Sequence, residues 1–280
     1  MTGKKTLIPN IAVLIICIIA TAFAVTPFLF MFISSFKPGQ ELLRHGINLN
    51  IDTTVMSLNN YKLLFTENNG LYFSWFKNSL IIAFFQTVLS IFFSAMVGYA
   101  LAVYNFKGRN FIFILVLVIM MVPIEIMLLP LYRLMLRLRL YNTYAGVILP
   151  YVVSPFAIFF FRQYASSISK DFMDAARIDG CGEFRIFLQI MTPMMKPAIG
   201  AMTILQAMGS WNSFVWPMVV IGSREMMTLP VGLQTMITPY GNNYDMLMSG
   251  AVLAVVPIVL VFIFNQKHFI AGLTAGGTKG

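Results

Sequence analysis

Asp174-Ala175-Ala176-Arg177-Ile178-Asp179-Gly180-Cys181-Gly182-Glu183-Phe184-Arg185-Ile186-Phe187-Leu188-Gln189-Ile190-Met191-Thr192-Pro193 is the most specific stretch of this 280-residue chain. Residues 170–179 suit a short helix with Phe172, Ala175, Ala176 and Ile178 available for packing. Gly180 then turns the chain in a left-handed conformation, the usual task of a helix-ending glycine. A second amphipathic stretch follows, with Phe184, Phe187, Leu188 and Met191 at helical spacing, and Pro193 and Pro197 close it. Two short helices joined at a glycine elbow make a compact knob, suited to a groove on a partner.

Outward from this loop the chain is apolar. Hydrophobic residues make up 59% of it and charged residues 10%, against roughly a quarter charged in soluble domains. So few charges cannot cover so large a core in water. The chain is therefore read as an all-α, multi-spanning protein of the cell membrane, with the lipid bilayer as its first partner. The net charge of +9 belongs to the flanks of spans and does not call for nucleic acid. Cys17 lies in an apolar run and Cys181 in a polar loop, so a disulfide framework is excluded. No metal-ligand spacing, carboxylate pair or Ser/His constellation appears, so no catalytic residue, metal or bound cofactor is expected. Ala22-Phe23-Ala24 mimics a signal cleavage site, but the apolar run continues well past it. An uncleaved first helix is expected.

Six spans are expected at about 11–33, 79–104, 111–132, 144–161, 198–221 and 246–266, within a single membrane domain over 1–280. Pro27, Pro123, Pro155, Pro217 and Pro257 lie in or near them, where kinks would suit a bundle that opens and closes. With six spans both termini share one side with the 105–110 turn and the 162–197 loop. That side carries eleven Lys and Arg against eight on the other, a bias toward cytoplasmic termini. Arg133, Arg137 and Arg139 oppose the bias. They alternate with leucine over 131–140, as in a segment lying in the interface with its arginine heads in water.

The loop resembles the EAA motif of ABC importer permeases. The match covers Asp174, Ala175 and Ala176, then Asp179 and Gly180, then Phe184, Phe187, Ile190 and Pro193. It departs at Asp174, where the family favours Glu, and at Thr192, where it favours Leu. Trp211-Asn212-Ser213-Phe214-Val215-Trp216-Pro217 and the tail 272–280 are similar to the carbohydrate branch, the maltose-type second permease. Segments 41–52 and 241–245 look similar to permeases for arabino-oligosaccharides. The resemblance implies a type I importer permease fold with cytoplasmic termini and a cytoplasmic coupling loop at 162–197. It also implies a second homologous permease, two ATPase subunits that carry the ATP and magnesium, and an extracytoplasmic solute-binding protein. The expected cargo is a carbohydrate, with a non-sugar solute as the alternative.

Candidate solute contacts are fewer. Glu125, the acidic residue within a span, is either a pathway or inter-subunit contact, or a carboxylate paired with a neighbouring helix or close enough to the surface to be hydrated. Gln206, Trp211, Asn212 and Trp216 combine aromatic faces with amides, the groups that a sugar uses. The same groups serve as interface anchors and interhelical hydrogen bonds. An ion-driven secondary transporter would need several charged or unwound midplane elements, and Glu125 alone qualifies.

Overall fold

The computed structural model describes residues 7–237 and 243–274. Lys4, Lys5, Lys279 and most of the tail 272–280 fall outside these residues, as do positions 241 and 242 of the segment 241–245. The described residues form helices joined by short loops, with no strand among them. The principal helices are α1 (Leu7–Ser34), α2 (Leu71–Val103), α3 (Arg109–Met120), α4 (Ile124–Arg137), α5 (Tyr144–Ile148), α6 (Pro155–Ser166), α7 (Asp171–Ile178), α8 (Lys196–Trp211), α9 (Val215–Val220) and α10 (Tyr244–Thr274).

Three expected spans are long continuous helices. Ile11–Ser34, Leu71–Val103 and Met246–Gln266 are each apolar and long enough to cross a bilayer. No residue of the first apolar window is buried within the protein, so its side chains are left to lipid or to another chain. Thr21 and Thr26 do not leave their hydroxyls unpaired there. Each donates to the carbonyl four residues back, Cys17 and Ala22 respectively, at 2.7 Å.

The other three expected spans are interrupted. Where one helix was expected over 111–132, the chain bends by 102° between α3 and α4. Pro123 causes the break: it has no N–H to donate, and it pushes Val122 out of helical backbone. Over 144–161, the segments Tyr144–Tyr151 and α6 meet at 43°. Ser154 caps the second segment by accepting from the Ala157 N–H at 3.3 Å, with Pro155 at its first position. The Ser154 N–H donates to Ser94 Oγ on α2 at 3.0 Å, which holds the bend against that helix. Over 198–221, α8 ends at Trp211 and α9 begins at Val215. Pro217 would clash with the carbonyl of Ser213 in a continuous helix, so the break falls one turn upstream. Counting each bent pair as one span gives up to five by length and apolarity among the described residues.

The described residues divide into two compact units. The first, 1–73 with 233–255, closes the end of α1 with Asn60, whose buried amide donates to the Ser35 and Lys37 carbonyls at 2.8 Å each. Lys37 is itself buried and donates to Asn48 Oδ1 at 2.7 Å. Tyr72 donates to the Gly250 carbonyl at 2.9 Å. The second unit, 74–232 with 256–280, holds the main bundle. One of its apolar clusters joins Tyr99, Phe161, Met173, Ile186, Phe187, Met191 and Met202. Another joins Ile82, Met135, Val147, Trp216 and Val220. Gly98 lets α2 and α6 touch: a Cβ there would lie 2.8 Å from Phe161 Cβ and 2.9 Å from the Ile158 carbonyl oxygen.

Candidate functional site

The knob is built on a glycine elbow. α7 opens with Asp171 and Asp174, which suit the positive end of its dipole. It closes at Asp179, and Gly180 follows with φ +77°. The Gly180 N–H donates to the Arg177 carbonyl at 3.0 Å and the Cys181 N–H to the Ala176 carbonyl at 2.9 Å. This pair of reversed bonds is a Schellman ending, and it requires the left-handed residue that the sequence supplies.

A second arm runs from Glu183 to Met194 as a short α-helix, a π-helical turn over Phe187–Met191 and a final α turn. Pro193 accounts for the π turn. It cannot donate to Gln189 and its ring crowds that carbonyl, so the helix widens. Thr192 compensates by donating its hydroxyl to the Phe187 carbonyl at 2.8 Å.

Arg177 joins the two arms. Its guanidinium donates to Asp174 Oδ1 at 2.8 Å, Glu183 Oε1 at 2.8 Å and Glu183 Oε2 at 3.2 Å. Tyr104, just past α2, donates its hydroxyl to Glu183 Oε2 at 2.5 Å. The knob is thereby tied to the end of α2. The hydrogen bonds from Arg177 first, and from Tyr104 second, hold the Glu183 carboxyl below its ordinary range.

The apolar face of α7 is turned otherwise than the spacing suggests. Met173 and Ala176 are buried in the bundle, whereas Phe172, Ala175 and Ile178 are exposed, Ile178 at 86%. On the second arm Ile186, Phe187 and Met191 are buried, and Phe184 and Leu188 are exposed. Asp174, Asp179 and Gly180 are exposed as well. The knob therefore presents Phe172, Ile178, Phe184 and Leu188 outward around a charged centre.

The solute candidates do not converge. Trp211 lines an apolar cavity of about 300 Å³ between α2, α8 and the second half of α10, with Thr87, Thr203 and Asn265 as polar neighbours. Its ring also meets Phe76 edge-on, with centroids 5.5 Å apart. Gln206, Asn212, Trp216 and Glu125 do not line this cavity. Gln206 is half-buried on α8, and Asn212 is exposed at the α8–α9 break. Trp216 is buried, with Nε1 donating to the Gly146 carbonyl at 3.2 Å, so its surroundings are those of a packing residue. Glu125 is exposed in the first turn of α4. Sequence reasoning missed Thr87, Thr203 and Asn265. The one available signal was polar residues recurring on α2 at Thr87, Ser90 and Ser94. Among the described residues no group of His, Cys, Asp and Glu could hold a metal ion.

A bundle of apolar helices, some broken at proline, with a protruding two-armed knob has the build of a membrane transport subunit. The chain belongs to the family of binding-protein-dependent transport system inner membrane components, whose model matches residues 90–274. It is 55% identical over 254 residues to the arabinooligosaccharides transport system permease protein AraQ of Bacillus subtilis, covering 91% of this chain and 90% of that one. It is 58% identical over 257 residues to the AraQ of Halalkalibacterium halodurans, covering 92% of each. Its fold matches a chain of a bacterial ABC transporter that imports the acidic polysaccharide alginate, with a TM-score of 0.82 at 22% identity, covering 96% of this chain and 99% of that one.

Proposed function

We propose that this chain is one of two homologous permease subunits of an ATP-driven ABC importer, and that its cargo is an arabinose-containing oligosaccharide. The observation that carries the importer reading is the knob: a Schellman-ended helix tied to α2 through Arg177, Glu183 and Tyr104, with apolar side chains left exposed around it. Such a face fits a groove on an ATPase subunit. Two ATPase subunits bind the nucleotide and magnesium. An extracytoplasmic binding protein delivers the sugar. In this reading 1–280 is a single permease domain whose six spans place both termini and the 162–197 loop in the cytoplasm, and the chain itself is not an enzyme and holds no cofactor.

The cargo assignment rests on the two relatives named for arabino-oligosaccharide transport, each matched along nine-tenths of both chains. Trp211 is the favoured sugar contact, because it combines an apolar ring with a cavity that carries Thr87, Thr203 and Asn265. Uptake of labelled arabinotriose is the test, in cells lacking this chain and in cells with it restored. The chain should also co-purify with an ATPase. Restored cells that take up no arabinotriose overturn the cargo assignment, and an active transporter containing this chain alone overturns the importer reading.

A further inference from the structure

Arg133, Arg137 and Arg139 take no part in the knob or the cavity. The Tyr144–Tyr151 segment and α6 separate them in sequence from α7. All three are exposed, and among the described residues none has an ion-pair partner. Arginine cannot shed its proton in a protein, so three uncompensated charges persist within seven residues.

The helix that carries the first two is sided. Met135 is buried, and Leu128, Leu131 and Tyr132 pack with it against Val147, Trp216 and Val220. The opposite stripe runs Ile126, Leu129, Arg133, Leu134, Arg137, all exposed, Ile126 at 67%. Along about 16 Å of axis it passes from apolar to basic. Leu129, Pro130, Arg133, Leu134 and Arg137 line a shallow groove. The helix leaves the apolar helix α3 at 102°. With α3 along the bilayer normal, its 12 residues and the turn at 121–123 carry the chain most of the way through, and α4 lies nearly parallel to the surface at the far interface instead of completing the span.

We propose that α4 is an interfacial anchor that binds an anionic phospholipid at this groove. Arg133 and Arg137, four residues apart on one face, hold the headgroup phosphate. Arg139 adds charge nearby, and Leu129, Pro130 and Leu134 meet the acyl region. The acidic face of a soluble protein would match the arginines too, but it would leave Ile126 and Leu129 in water. A phospholipid satisfies both ends of the stripe.

The test uses the full chain in nanodiscs containing equal phosphatidylglycerol and phosphatidylcholine, with lipids retained on the protein counted by native mass spectrometry. The wild type should retain phosphatidylglycerol selectively. At about fivefold per arginine near a surface, R133Q/R137Q/R139Q should lose up to about a hundredfold of that preference, and R133K/R137K/R139K should keep most of it. Raising salt on the wild type should release the lipid, a readout independent of how the variants fold. An unchanged preference in the glutamine variant, or insensitivity to salt, overturns the proposal. So does a wild type without lipid preference that captures the solute-binding protein through these arginines in phosphatidylcholine alone.

Discussion

Gly180→Val attacks the elbow without touching a neighbour. A Cβ at Gly180 would meet no atom within 4 Å, so side-chain clash contributes nothing and the whole cost is backbone conformation at φ +77°. A non-glycine residue held in that region costs about 1–3 kcal/mol, with a β-branched one at the upper end. The cheapest escape is to unwind the Schellman ending, which gives up the Gly180–Arg177 and Cys181–Ala176 hydrogen bonds. Arg177 then no longer reaches Glu183, and the tie to Tyr104 and α2 loosens. A penalty of that size shifts the docking-competent population by about five- to 150-fold. Transport and stimulation of the partner ATPase should fall within that range for Gly180→Val, while the amount of chain in the membrane stays the same. Gly180→Asn is the decisive control, because asparagine tolerates the left-handed region and should retain most activity. Gly180→Val transporting like wild type at equal abundance refutes the elbow argument. Val and Asn losing activity equally would show that the site requires the absence of any side chain, not the left-handed conformation.

Four further outcomes are expected. Glu183 has a folded pKa below its unfolded one, so its stabilising effect is complete above about pH 4.3 and disappears as pH falls through the folded value. The protection of backbone amides over 183–194 against hydrogen exchange, corrected for the slower intrinsic exchange in acid, should therefore fall on acidification in the wild type. In Glu183→Gln it should be low already at neutral pH, and a Gln variant that matches the wild type at neutral pH refutes the tie. Gly98→Leu would drive a side chain into Phe161 and the Ile158 carbonyl, and should cost about 1–3 kcal/mol by overpacking. Thermal unfolding of the purified chain checks it, and an unchanged midpoint means that α2 and α6 are further apart than described. Trp211→Phe keeps an aromatic ring against Phe76 but changes the cavity wall, and should raise the KM for uptake with assembly intact. Trp216→Phe removes the donor to Gly146 and should lower stability by about 1 kcal/mol with KM unchanged, and the reverse pattern would exchange the two roles.

How far the sequence was legible depended on whether a feature was local. The elbow was local: a glycine after an amphipathic turn implies a left-handed residue, and Gly180 has one. The direction of the α7 face was not. Periodicity says which side chains share a face, but not whether that face belongs to the bundle or to a partner. Phe172 and Ile178, expected to be available for packing, are exposed, while Met173 is buried. Apolar length found the long continuous helices that cover 11–33, 79–104 and 246–266, but not the breaks in the others. Proline could not have decided them alone, since Pro27, Pro130 and Pro257 lie inside continuous helices.

The same limit explains the solute site. Trp211, Asn212 and Trp216 sit within six residues and read as one aromatic–amide cluster. The break after Trp211 puts the two indoles on different helices, and their partners come from distant parts of the chain. Gly146 lies 70 residues before Trp216 and takes its N–H. Thr87 and Asn265 lie on either side of Trp211 in sequence, each more than fifty residues away, and join it in the cavity wall. A single proline, Pro217, thus divides one motif into a packing residue and a cavity residue. Tryptophan-containing motifs followed by proline in membrane helices should accordingly be split at the turn before the proline, before any ligand role is assigned to the whole.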